Sequence, residues 1–423
     1  MTKHLTTTAL GLVLVGGMAS AQELTILIDN NAPSVGAFEA LTAAYTAQNP
    51  GVTFDIELRP GGAEGDNIVK TRLATGEMAD IFSYNSGSLF QALRPDRTLV
   101  PIDDIANFGN LNEAFLQTVA DADGNHYGVP YEAAMGGGIL YHVPTYEELG
   151  LAVPTTWDEF MANNAAIAEQ TDKAPVIQTY RDTWTSQLFV LADYFNVQAA
   201  EPTFAEDYTG NRAKYATTPA AMAGFERLQA VYEAGYLNED FGAASFDDGL
   251  NMVATGEGVH YPMLTFALGA IQQNNPDLLN DVGFFAQPGD SADANGLTVW
   301  LPAGTYIPQT SENIDAAKDF LNFMASVEGC QVIVAANGAT GPMLVNGCEL
   351  PDSVPTAVTD MLPYFQTEGG TAPALEFLSP VKGPALEQLT VEVGSGIRDA
   401  ASAAELYDQD VAKQARQLGL EGW

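Results

Sequence analysis

The sequence predicts an α/β protein built as two lobes, and three observations lead there. Strand-like apolar runs alternate with helical stretches through the first hundred residues, the pattern of a largely parallel sheet flanked by helices. Setting aside a 21-residue leader leaves 402 residues, more than one compact core usually serves and a natural length for two. Hydrophobic residues make up 46% of the chain, which supports a folded core rather than disorder.

The elements follow in order. Lys3 and His4 lead into the apolar run Leu10 to Val15 and then Ala19-Ser20-Ala21, the layout of a secretory signal with its cleavage site. The run is far shorter than the roughly 20 residues of a spanning helix, so residues 1–21 are read as a signal peptide and Gln22 as the mature start. No Cys follows the small residues, so free diffusion in a periplasm is expected rather than a lipid anchor. LTILID from Leu24 reads as a strand, followed by a helix through Phe38, Leu41 and Tyr45. VTFDIEL from Val52 is the second strand. Asp66 is expected to cap a helix that stops at Gly76, and ADIFSY from Ala79 is the third strand. Thr156-Trp157-Asp158-Glu159 is a capping box, and Trp157 within it is expected to pack structurally. Thr218-Pro219 opens another helix, and Ala317, Phe320, Leu321 and Met324 form the core-facing stripe of one that follows Asn313.

Charge narrows the function. Acids number 54 against 16 bases; losing Lys3 with the leader takes the formal charge to −39. Without a Lys/Arg cluster, nucleic acid and anionic membrane surfaces are excluded as partners. Cys330 and Cys348, in an exported chain, are expected to form a disulfide whose loop is worth about 3 kcal/mol. His4, His126, His142 and His260 show no chelating spacing, so no metal or other cofactor is expected. Neither a G-x-S-x-G elbow nor a Walker loop occurs.

Five segments carry a family resemblance: GGAEGDNIVKTRLATGEMADIFSYNSG from Gly61, HYGVPYEAAMGGGILYH from His126, PTTWDEF from Pro154, ATGEGVHYP from Ala254 and NIDAAKDFLNFMAS from Asn313. In order and spacing, over essentially the whole mature chain, they resemble the extracellular solute-binding proteins of ABC importers, the family that includes maltose-binding protein. The resemblance implies a two-lobe periplasmic-binding-protein fold whose cleft closes by hinge bending. It implies lobe one over residues 22–132 plus 289–340 and lobe two over 133–288 plus 341–423, with approximate boundaries. The first crossing falls near Pro130 to Met135; Gly136, Gly137 and Gly138 either absorb rotation there or pack a strand closely. It further implies a monomer that captures a carbohydrate and hands it to permease subunits in the membrane.

A sugar site needs carboxylates or amides for hydroxyls and aromatic rings for C–H faces. Loops at strand ends supply both. In lobe one the expected ligand contacts are Asn30, Asn31, Asp66, Tyr84 and Asn85, with Glu132 at the crossing. Asn30 and Asn31 also suit turns and Asp66 a cap, while Glu132 could instead pair with a base. Lobe two offers Arg181, Asp182, Trp184, Tyr261 and Phe266, while Trp300 either belongs to a strand of lobe one or reaches the cleft; a buried core role competes for each ring. Arg181 suits an anionic substituent or an ion pair with Asp182. Two rivals remain open: the same fold holding a polyamine or other small solute, and an exported glycoside hydrolase with two opposed carboxyl groups.

Overall fold

The computed structural model describes residues 22–351 and 354–423, so the leader reading lies outside the described residues. Two sheets carry the chain, and each anchors one lobe. The first has strand order β2-β1-β3-β10-β4, from β1 (Gln22–Asp29), β2 (Val52–Arg59), β3 (Ile81–Tyr84), β4 (Val129–Pro130) and β10 (Gly304–Tyr306). β1 pairs parallel with β2 and β3. The second has the order β11-β9-β5-β7-β6, with β8 also on β5. It comprises β5 (Met135–His142), β6 (Ala174–Val176), β7 (Gly258–Leu264), β8 (Val282–Ala286), β9 (Leu297–Trp300) and β11 (Thr371–Pro373).

Both sheets are mixed, where the sequence pattern predicts mostly parallel ones. The strands entered from a crossing are the reason. β5 follows the first crossing and runs antiparallel to β7, β8 and β9. β10 follows the return crossing and runs antiparallel to β3 and β4.

These pairings also move the lobe limits. β9 pairs in the second sheet although it lies after residue 289, so the return crossing is the short stretch 301–303. Beyond 341 the chain still bonds to the first lobe, with Asn112 N–H donating to Leu344 O at 2.9 Å and Asn346 N–H to Asn110 O at 2.7 Å. The chain is therefore still on lobe one at Asn346 and on lobe two by the helix Thr356–Gln366, which packs against β8. The disulfide Cys330–Cys348 ties the segment between them to the helix Val327–Asn337.

Local chemistry explains most helix limits. The capping box at Thr156 and Glu159 starts the helix Trp157–Gln170, and Trp157 packs on Phe160 and Phe189. Ala317, Phe320, Leu321 and Met324 are buried on the helix Ile314–Met324. Helix α1 (Ala32–Gln48) is capped by Asn31, whose side chain accepts from Ser34 N–H at 2.9 Å. Helix α2 (Gly62–Thr75) is capped by Gly61, not by Asp66, which sits a turn inside the helix. Gly62 at φ +66° supplies the left-handed residue that turns the chain into it.

The three glycines after the first crossing are packing residues within β5. A Cβ on Gly137 would lie 2.1 Å from the Trp300 ring, and one on Gly138 would lie 2.3 Å from Phe285 O. Side chains there would push β5 off its neighbours.

Candidate functional site

A cleft of about 450 Å³ opens between the lobes, within the size range of small-molecule sites. Lobe one contributes the carboxyl ends of its parallel strands, where open α/β sheets hold ligands. Asp29, Asn30 and Asn31 follow β1, Arg59 ends β2 ahead of Gly61 and Asp66, and Asn85 follows β3. The first crossing supplies the floor through Tyr131, Glu132 and Met135. Lobe two contributes Arg181, Asp182, Trp184 and Gln187, the start of the helix Phe246–Thr255, and Phe266 just after β7. Trp300, Glu376, Lys382 and Glu387 complete that wall.

Ten of the twelve expected contacts line this cleft, and two do not. Tyr84 and Tyr261 are core residues, 0% and 1% exposed. Tyr84 ends β3 with its ring packed in the cluster that holds Phe82, Phe90 and Tyr306. Tyr261 lies mid-strand in β7, among Leu250, Val253 and Met263, and its hydroxyl is 2.7 Å from Thr179 Oγ1. Both side chains point into packed cores, which the strand pattern alone does not reveal.

The apolar part of the cleft is an aromatic wall on lobe two. Phe246 and Phe266 stack with ring centroids 5.6 Å apart and planes 9° apart. Trp184 leans on Phe246 at 5.2 Å, stays half-buried and lines the cleft, with Gly61 of lobe one close to its indole. Trp300 is nearly enclosed, 5% exposed, and its indole N–H donates to the Glu376 carboxylate.

Most bases of the cleft are already engaged. Arg59 is buried and grips Asp29, Nη1 to Oδ1 at 2.8 Å and Nη2 to Oδ2 at 3.1 Å, while Nη2 also donates to Ser83 O. Lys382 pairs with Glu376 at 3.2 Å. Arg181 is exposed and makes no ion pair among the described residues, so of its two readings the pairing with Asp182 is not formed. Asp182 instead accepts from Phe246 N–H at 2.7 Å, holding the start of that helix.

Burial sets the carboxyl chemistry. It pushes Glu132 up from 4.5 to about 8, with the neighbouring Asp29 charge adding to the shift. It pushes Asp29 up to about 6, because desolvation outweighs the attraction of Arg59. Asp66 is raised for the same first reason. Sequence reasoning missed Asp29, Arg59, Gln187, Phe246, Lys382 and Glu387. Arg59 was within reach, as a base closing a strand in a chain poor in bases.

Among the contacts that join the lobes, Glu387 makes one beside the cleft. The Glu387 carboxylate accepts from Thr183 Oγ1 at 2.7 Å within its own lobe and from Ala63 N–H of α2 at 3.4 Å in the other. The positive end of α2 therefore faces an acid of the opposite lobe.

The bacterial extracellular solute-binding protein model matches residues 31–329, most of the chain. The chain belongs to that family. Membership makes it a binding protein and removes the glycoside hydrolase alternative. Relatives agree: it is 23% identical over 312 residues to the multiple sugar-binding protein of Streptococcus mutans, covering 72% of this chain and 70% of that protein. Among solved structures it resembles a chitin oligosaccharide binding protein at TM-score 0.81 and 20% identity, over 94% of this chain and 100% of that one. It also resembles the solute-binding protein RafE in complex with raffinose at TM-score 0.76 and 20% identity, over 93% and 99%. These likenesses establish the two-lobe fold. No helix among the described residues is long and apolar enough to cross a membrane.

Proposed function

We propose that the protein is the periplasmic receptor of a carbohydrate ABC importer, exported by residues 1–21, capturing its sugar as a monomer and presenting it to the permease. The observation that carries this reading is the pairing of an aromatic wall, Trp184 with Phe246 and Phe266, with facing strand ends rich in carboxylates and amides. Sugar C–H faces lie on the rings while hydroxyls bond to groups such as Asn30, Asn85, Asp66 and Glu132. Relatives named for sugar binding support the same class.

Delivery requires that ligand contacts favour the closed form over the open one, since equal affinity for both would shift nothing. A ligand touching lobe-one strand ends and the lobe-two aromatic wall together meets that condition. The test is a thermal-shift screen of the mature protein against mono- and oligosaccharides, polyamines and amino acids, followed by calorimetry. A ligand at about 100 times its Kd stabilises the fold by about 2.7 kcal/mol, a shift that is easily read. Saturable shifts with a sugar class support the reading, and shifts confined to non-carbohydrate solutes overturn it.

A further inference from the structure

The buried polar groups of the cleft are unevenly satisfied. Seven carboxylates and three bases line it. Arg59 is committed to Asp29 and to backbone carbonyls, and Lys382 to Glu376. Glu132 and Asp66 join no ion pair among the described residues; Lys70, Arg59, Lys382 and the Tyr84 hydroxyl act on Asp66, whereas no base offsets the burial of Glu132. Gln187, 6% exposed and lining the same cavity, has an Oε1 that accepts no hydrogen bond. Arg59 Nε is the opposite case, an unpartnered donor, and it lies beside an acid it already neutralises. Arg181, the third base, is exposed and unpaired among the described residues, so the buried groups waiting on the ligand are mainly acceptors, two of them carboxyls.

A neutral sugar answers such a site incompletely. Each hydroxyl donates a single hydrogen bond, so a neutral sugar satisfies only part of the acceptor capacity of these carboxyls. An ammonium group offers three donors, no acceptor and the opposite charge. Hydrogen bonds between ions are roughly twice as strong as neutral ones.

Resting on the carbohydrate reading above, we infer that the ligand is a carbohydrate bearing a protonated amine, received at the cleft floor by Glu132 in the field of Asp29 and Asp66. The aromatic wall of lobe two takes the sugar's apolar face and the lobe-one floor takes its ammonium. This arrangement also gives the crossing segment a direct part in recognition, because Glu132 lies on it between β4 and β5. The high proton affinity of Glu132 fits the same picture: the empty site stays neutral by holding a proton that an arriving ammonium displaces.

The experiment is calorimetry at mildly acid pH with matched sugars that differ in one substituent. Chitosan disaccharide, diacetylchitobiose and cellobiose carry an amine, an acetamide and a hydroxyl on the same backbone. Amino monosaccharides with the amine at other ring carbons, their hydroxyl parents and uronic acids complete the panel. The expected result is at least about tenfold tighter binding of an amine-bearing sugar than of its hydroxyl parent. Repeating it in buffers of different ionisation enthalpy should show proton release on binding. Glu132→Gln should abolish the preference, weakening the amine-bearing sugar at least about tenfold more than its hydroxyl parent. Equal or tighter binding of neutral, acetamido or uronic sugars overturns the inference, as does a preference that survives in Glu132→Gln. Absence of binding by every amine-bearing sugar overturns it as well. If neutral sugars bind, the carbohydrate reading stands without the amine; if only linear polyamines bind, that reading falls too.

Discussion

Trp184 and Tyr261 offer a paired test of which rings meet ligand and which hold the fold, because the sequence presents them alike and the structure separates them. Tyr261 is 1% exposed in β7, and its hydroxyl bonds to Thr179. Removing a buried aromatic ring costs about 3–5 kcal/mol in lost transfer energy and cavity. The lost hydrogen bond to Thr179 adds roughly 1 kcal/mol. At about 2–4 °C per kcal/mol for a lobe of this size, Tyr261→Ala should lower the ligand-free midpoint by roughly 10 °C. Trp184 is half-buried on the cleft side of Phe246. Its truncation should cost the fold only about 1 kcal/mol, a midpoint change of a few degrees. Its loss to binding is larger in proportion: about 60 Å² of ring face at about 25 cal/mol per Å² is about 1.5 kcal/mol, or roughly tenfold in Kd. Scanning fluorimetry without ligand and calorimetry with the best sugar read the two effects separately. A Trp184→Ala midpoint that falls by 10 °C, or a Tyr261→Ala protein that melts normally yet fails to bind, would refute the assignment.

Two further outcomes are expected. Glu132 is raised from 4.5 to about 8, so the folded state holds a proton that the unfolded chain has released, and stability attributable to this group is greatest below pH 4.5 and lost as pH rises to about 8. Glu132→Gln should therefore leave the midpoint nearly unchanged at pH 4.5 and raise it by several degrees near pH 8; parallel wild-type and variant curves across that range would contradict the burial of this carboxyl. Glu387→Ala removes the acceptor that Ala63 N–H meets across the cleft mouth, so the closed form loses a contact that the open form lacks. Sugar affinity should fall about 5-fold, with small-angle scattering showing a more open ligand-free protein, whereas an unchanged Kd would assign Glu387 to Thr183 alone.

Much of the lobe-one site was legible because its signals are local. A strand followed by Asn30-Asn31, and another followed by Asn85, place those side chains at strand ends whatever the rest of the chain does. Tyr84 and Tyr261 were misplaced because exposure at a strand position depends on which helix covers that face, a fact fixed by residues far away. Asp66 shows a subtler failure. A carboxyl after a Gly-rich turn has the look of a cap, but Gly62 adopts positive φ and lets the helix begin earlier, turning Asp66 toward the cleft. Glu376, Lys382 and Glu387 carried no strand-end signal, since they arrive from the last segment of the chain.

The lobe limits failed for a related reason that bears on closure. Two crossings are each only a few residues long, Tyr131 to Ala134 and Leu301 to Ala303, and both line or adjoin the cleft floor. Segments so short cannot act as loose tethers, and their ends are locked by β4, β5, β9 and β10 pairing. Rotation of one lobe on the other must therefore be absorbed by backbone that also presents Tyr131 and Glu132 to the ligand. A ligand bound to those residues acts on the hinge itself, so contact at the floor and contact across the mouth bias the same equilibrium. Substitutions at the floor should accordingly change affinity and the ligand-free open fraction together, while those confined to the aromatic wall should change affinity alone.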